Sequence, residues 1–165
     1  MRLLAIVAVL LTASAALADE PHGCDKFAWS IAKAQELLAK PTPAAAGRPT
    51  DRDGAMAISL PLKPLADAGL KLPPERKPAA ANSFAGSVEF AVASRAATYT
   101  VTLSAAAWID IVQDGKYLKP AAFTGALDCA GVRKSVKFAI GADPFTLQLS
   151  GVTSDTIAVV VSPAD

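Results

Sequence analysis

From Phe84 onward the hydrophobic residues recur at every second position, and that period admits few folds. Val88, Phe90 and Val92 alternate with Ser87, Glu89 and Ala91, and Tyr99, Val101 and Leu103 alternate with Thr98, Thr100 and Thr102. The rhythm returns at Val136, Phe138 and Ile140, at Phe145, Leu147 and Leu149, and at Ile157, Val159 and Val161. Successive side chains of a strand point to opposite faces, so each run has one face to bury and one to leave in water. Turn signals separate the runs at Ser104 to Ala106, Asp114-Gly115, Gly141 to Pro144 and Gly151 to Asp155, with no helical pattern between them. Residues 84–162 are therefore expected to form the strands of a mainly β fold, an antiparallel β-sandwich of jelly-roll-like character.

One hairpin can be read in register. Asp114-Gly115 between two apolar runs suits a two-residue type I′ turn, which needs positive φ at both positions. Counting back from it pairs Gln113 with Lys116, Val112 with Tyr117, Ile111 with Leu118, Asp110 with Lys119, Ile109 with Pro120 and Trp108 with Ala121. Ile109, Ile111 and Leu118 then share the core face, and Trp108, Asp110, Val112, Tyr117 and Lys119 share the other. Aromatic rings beside an acid and a base can hold a sugar, a peptide or a small polar ligand, which makes Trp108, Asp110, Tyr117 and Lys119 the candidate binding face. The plainer reading is a cross-strand Asp110 to Lys119 ion pair, with Trp108 covered by the proline-rich segment.

Upstream the pattern changes. From Asp25 to Lys40 it is helical, with Asp25 as N-cap and Pro41 as stop. Phe27, Ile31, Ala34 and Leu38 make one apolar stripe, and Trp29 points away from it toward Lys33 and Glu36, as a partner contact or beneath a loop or sheet edge. Residues 41–83 hold eight of the twelve prolines and one strand candidate, Ala55 to Leu60. Proline blocks ladder hydrogen bonds, so this stretch is expected to wrap the domain or stay mobile rather than build the sheet.

The first residues set the compartment. Met1-Arg2, the apolar run Leu3 to Leu11, and Ala16-Leu17-Ala18 before Asp19 read as a signal peptide, residues 1–18, cleaved after Ala18. Residues 19–165 are then expected as one periplasmic or secreted domain, because no later apolar run nears the roughly 20 residues a membrane span requires. The two cysteines, Cys24 and Cys129, would meet oxidising conditions, and with no Cys-x-x-Cys they are expected to form one disulfide that tethers the helix to the sheets. Beyond the leader, acidic and basic side chains balance, which gives no long-range pull toward nucleic acid or anionic lipid.

Catalytic constellations are scarce. His22 is the one histidine, which removes the usual triads, the two-His-one-carboxylate iron site, blue copper ligation and zincin motifs. Ser30-Ile31-Ala32-Lys33 matches Ser-x-x-Lys without the companion motifs, and Asp51-Arg52-Asp53-Gly54 lacks the spaced ligands of a calcium loop. Glu89, Asp110, Asp128 and Asp143 supply carboxylates for glycoside hydrolysis, but no spacing nominates a pair. Lys116 and Lys119, and Arg133, Lys134 and Lys137, form two basic clusters of the kind solvated strand faces produce. No catalytic residue, metal or cofactor is expected.

The runs Thr98 to Leu103, Trp108 to Val112 and Phe145 to Gly151 resemble the strand rhythm of pre-peptidase C-terminal type β-sandwich domains. The Cys24-Asp-Lys-Phe-Ala-Trp29 start resembles that of small secreted proteins of Gram-negative bacteria. The first resemblance implies a non-catalytic accessory or binding module. The expected role is accordingly a binding module for a protein, peptide or saccharide, with a small carboxylate-dependent hydrolase and a structural envelope protein as alternatives.

Overall fold

A computed structural model describes residues 20–45, 48–80 and 82–164; the expected leader and its cleavage site lie outside the described residues. The strands are β1 (Thr42–Pro43), β2 (Met56–Pro61), β3 (Lys63–Pro64), β4 (Phe84–Phe90), β5 (Ala97–Leu103), β6 (Trp108–Gln113), β7 (Lys116–Leu118), β8 (Pro120–Gly125), β9 (Lys134–Ile140), β10 (Phe145–Val152) and β11 (Thr156–Pro163). They form a β-sandwich of a six-stranded sheet, β1-β2-β11-β5-β9-β8, and a five-stranded sheet, β3-β4-β10-β6-β7. All pairings are antiparallel except β1 with β2. The period-two residues meet between the sheets, where Val88, Phe90, Val101, Leu103, Ile111, Phe138, Leu147, Leu149 and Val159 belong to one buried cluster. Val92, which continues the pattern in sequence, lies past the end of β4 and is 64% exposed.

The N-terminal segment departs from the expected helix. Cys24–Lys26 is a 3-10 turn and α1 is Ala32–Leu38, so Asp25 caps no α-helix and residues 27–31 break the run. Tertiary contacts override the local preference: Ala28 N donates to Thr124 Oγ1 at 3.0 Å, and Trp29 Nε1 donates to Ser135 Oγ at 3.0 Å. Trp29 thus lies on the outer face of the six-stranded sheet, with the Lys137 ammonium 4.8 Å from its ring centre. The apolar stripe holds, since Phe27, Ile31, Ala34 and Leu38 pack with Ala57, Val132 and Val160 in a second, smaller cluster. The Cys24–Cys129 disulfide fastens this segment, with 4.7 Å between the Cα atoms.

The proline-rich segment does build sheet, contrary to expectation. It supplies β1 and β3 at sheet edges, where few ladder bonds are needed, and β2, which lies one residue on from the strand candidate Ala55 to Leu60 and runs between β1 and β11. The second half of the segment forms a strap across the outer face of the five-stranded sheet. Lys71 Nζ donates to Glu89 Oε1 at 3.1 Å on β4, and Leu72 exchanges two hydrogen bonds with the Gln148 side chain on β10. Farther along, Glu75 N donates to Asp110 Oδ2 at 3.1 Å on β6, and the Tyr117 hydroxyl of β7 donates to Pro73 O. This strap is why the outward residues Thr146, Gln148 and Asp110 are buried.

The Asp114-Gly115 turn has positive φ at both residues, 52° and 71°, as a type I′ turn requires. Gln113–Lys116, Val112–Tyr117 and Ile111–Leu118 pair as read. The other three expected pairs do not form: β7 stops at Leu118, and Pro120 begins β8, which pairs with β9 of the opposite sheet.

Candidate functional site

That change of sheet opens the molecule at one side. β7 is a three-residue edge of one sheet and β8 is the edge of the other, with Lys119 between them. Phe123 on β8 stands opposite Val136 on β9, yet it is left 75% exposed because so short a β7 gives it no facing strand. A cleft of about 800 Å³ lies here. Phe123, Val136 and Phe138 line it from the six-stranded sheet, and Ile109 and Leu118 line it from the five-stranded sheet.

Charge gathers at the mouth, where Arg76 and Lys77 of the strap, Lys119, Arg133 and Lys134 bring five cations against the two acids Glu20 and Glu75. Both acids are already committed, Glu20 to Arg133 and Glu75 to Lys119. Arg76, Lys77 and Lys134 have no ion-pair partner among the described residues. The Arg76 guanidinium sits 5.5 Å and the Lys134 ammonium 5.4 Å from the Trp108 ring centre, within cation–π range. Lys134 Nζ also donates to Ala107 O at 3.3 Å. Burial pushes the Lys134 ammonium below the ordinary lysine range, and the neighbouring Arg133 and Arg76 charges push it the same way.

The structure divides the four residues of the expected binding face. Trp108 and Lys119 line the cleft, whereas Asp110 and Tyr117 lie under the strap and hold it by hydrogen bonds. The expected Asp110–Lys119 pair is replaced by Glu75–Lys119, since β7 ends before Lys119 can oppose Asp110. Phe123, Arg76 and the apolar wall were not singled out by sequence. Pro120, which cannot donate to a ladder, was the available sign that the hairpin ends there.

The other chemical candidates are scattered. Glu89 pairs with Lys71, and His22 Nδ1 lies 2.6 Å from Asp128 Oδ2 at an exposed site. Ser30 precedes α1, so it does not share a helical turn with Lys33, which pairs with Glu36. Asp51 Oδ1 accepts from Asp53 N at 2.9 Å in a local turn, and Arg52 between them is 1% exposed. Among the described residues no three His, Cys, Asp or Glu side chains are grouped as a metal site, and no helix is long and apolar enough to cross a membrane. Comparison with protein-family models, with curated proteins and with solved structures finds no match for this chain.

Proposed function

We propose that this protein is a secreted or periplasmic, non-catalytic binding module that carries its ligand in the cleft between the two sheets. The observation that carries this reading is the cleft itself: an apolar wall with a few convergent polar groups, within the size range of small-molecule sites. The scaffold around it is braced on both sides, by the strap on one sheet and by the disulfide-tethered helix on the other. Such bracing limits the ordering that binding must impose. The disulfide also accords with an oxidising compartment.

A hydrolase is less well supported. The two carboxylates at the cleft, Glu20 and Glu75, each face a cation, and Asp110 is occupied by two N–H donors.

The test uses Nile red, a neutral apolar dye, with residues 19–165 carrying an intact disulfide. Saturable binding at one dye per chain is expected, with loss of that signal in Phe123→Asp, a change at a side chain 75% exposed, whose urea midpoint should match the parent's. No saturable binding, or equal binding by the variant, overturns the cleft as the site.

A further inference from the structure

The cleft has an apolar wall and a mouth whose charge is one-sided once its internal pairs are counted. Glu20 and Glu75 neutralise Arg133 and Lys119, which leaves Arg76, Lys77 and Lys134 uncompensated among the described residues. A saccharide would need acceptors and an open aromatic platform. Here the acids are taken and the Trp108 ring is engaged by Arg76 and Lys134. A neutral apolar ligand would satisfy the wall and leave the cations without a partner. A cationic ligand would be repelled, since like charges brought together out of water are strongly disfavoured.

We propose that the ligand is a single-chain amphiphile with a carboxylate head, a long-chain fatty acid, its tail along Phe123 and Leu118 over a floor closed by the buried Val136 and Phe138, and its head at Lys134 and Arg76 beside Trp108. This rests on the cleft being the binding site. Lys134 reaches the mouth from the inner side of β9, two and four residues before Val136 and Phe138 in the period-two alternation, so the head contact and the floor beneath the tail lie along one strand. Contact with the indole ring holds both cations near the mouth before a ligand arrives, so fewer rotamers remain to be frozen on binding. A guanidinium matches a carboxylate in a planar, two-bond geometry. The downward pull of burial on the Lys134 ammonium agrees with this, because an entering anion would relieve it.

Displacement of bound Nile red separates the possibilities, using dodecanoate, dodecanol and dodecyltrimethylammonium below their micelle concentrations. Dodecanoate is expected to displace the dye at about tenfold lower concentration than dodecanol, as a charge-assisted contact allows, and the ammonium compound is expected to be weakest. From octanoate to dodecanoate each added methylene should tighten binding about threefold to fourfold. Lys134→Met, which keeps an unbranched apolar stem beside Trp108, and Arg76→Gln, at an exposed strap position, should each narrow the gap between dodecanoate and dodecanol. Lys137→Met, on the outer face of the six-stranded sheet, should leave it unchanged. Equal displacement by dodecanoate and dodecanol, stronger displacement by the ammonium, a gap insensitive to both Lys134→Met and Arg76→Gln, or no displacement by any of the three overturns the fatty acid while dye binding still upholds the cleft. Absence of dye binding overturns both.

Discussion

The Trp108 indole N–H donates to Asp110 Oδ1 at 2.8 Å, linking two residues one pleat apart on β6. Oδ2 of the same carboxylate accepts from Glu75 N at 3.1 Å, so Asp110 joins the ring at the cleft to the strap that crosses the sheet. Burial raises the Asp110 carboxyl above its ordinary range, and the Glu75 and Trp108 donors oppose that rise.

Asp110→Ala should therefore loosen the strap. It leaves two donors without an acceptor, a loss of about 1–3 kcal/mol, read as a lower urea midpoint. Trypsin cleavage after Arg76 should become faster, Pro78 blocking the bond after Lys77. Since the folded-state value is raised, the folded state holds this proton more tightly than the unfolded one. Stability should accordingly fall as pH rises from the ordinary aspartate value through the raised one, and Asp110→Asn should lack that slope. An unchanged cleavage rate in Asp110→Ala would show that the strap is held elsewhere.

Reducing the Cys24–Cys129 bridge, or replacing both cysteines by serine, frees a loop of 105 residues' separation. In the chain-entropy view the loss is roughly 4 to 5 kcal/mol, a large part of the stability of a domain this size. Oxidised protein should take up no alkylating reagent before reduction, and two reactive thiols would contradict the bridge.

Arg52 should be as important as a core hydrophobe. Its Nη2 donates to Gly141 O at 3.0 Å, to Ala142 O and to Asp143 O at 3.1 Å, and its guanidinium carbon lies 5.1 Å from the Phe145 ring centre and 5.4 Å from that of Tyr99. Arg52→Ala deprives three loop carbonyls of a donor and opens space against both rings. A loss of about 3 kcal/mol or more is expected in chemical unfolding. A change confined to a few tenths would mean the loop holds its shape unaided.

Lys134 gives a dependence of its own at high pH. Its folded-state value is lowered, so between that value and the ordinary lysine value the unfolded chain binds more protons, and stability should rise with pH across that window. Lys134→Met should remove this rise and be at least as stable as the parent at neutral pH. A flat difference between the two proteins from neutral to alkaline pH would exclude the burial effect.

Much of the sandwich was legible because a period of two is a local property of the chain. Val101, Leu103, Phe138 and Leu147 each declare their face without knowledge of a partner. The hairpin register was legible as far as Leu118 for the same reason, since the turn fixes it. Beyond that point the controlling facts were distant in sequence. The helix start yielded to contacts of Ala28 and Trp29 with Thr124 and Ser135, about a hundred residues away. The candidate face divided because a strap from residues 71–75 covers one part and the crossing at Lys119 exposes another. Of the cleft lining, Trp108 and Lys119 were therefore visible. The apolar wall was not, because Phe123 and Val136 look like any core residues until the opposing sheet is known to end.

The strand order also sets a schedule for synthesis. β10 is the middle strand of its sheet, between β4 and β6, and β11 bridges β2 and β5 in the other. A ribosome delivers these two strands after their sheet partners, so β4 cannot join β6, nor β2 join β5, until residues 145–163 have emerged. Before then the nascent chain holds hairpins and open edges rather than a closed core. It stays open until those two strands appear, and depends until then on whatever shields unpaired strands.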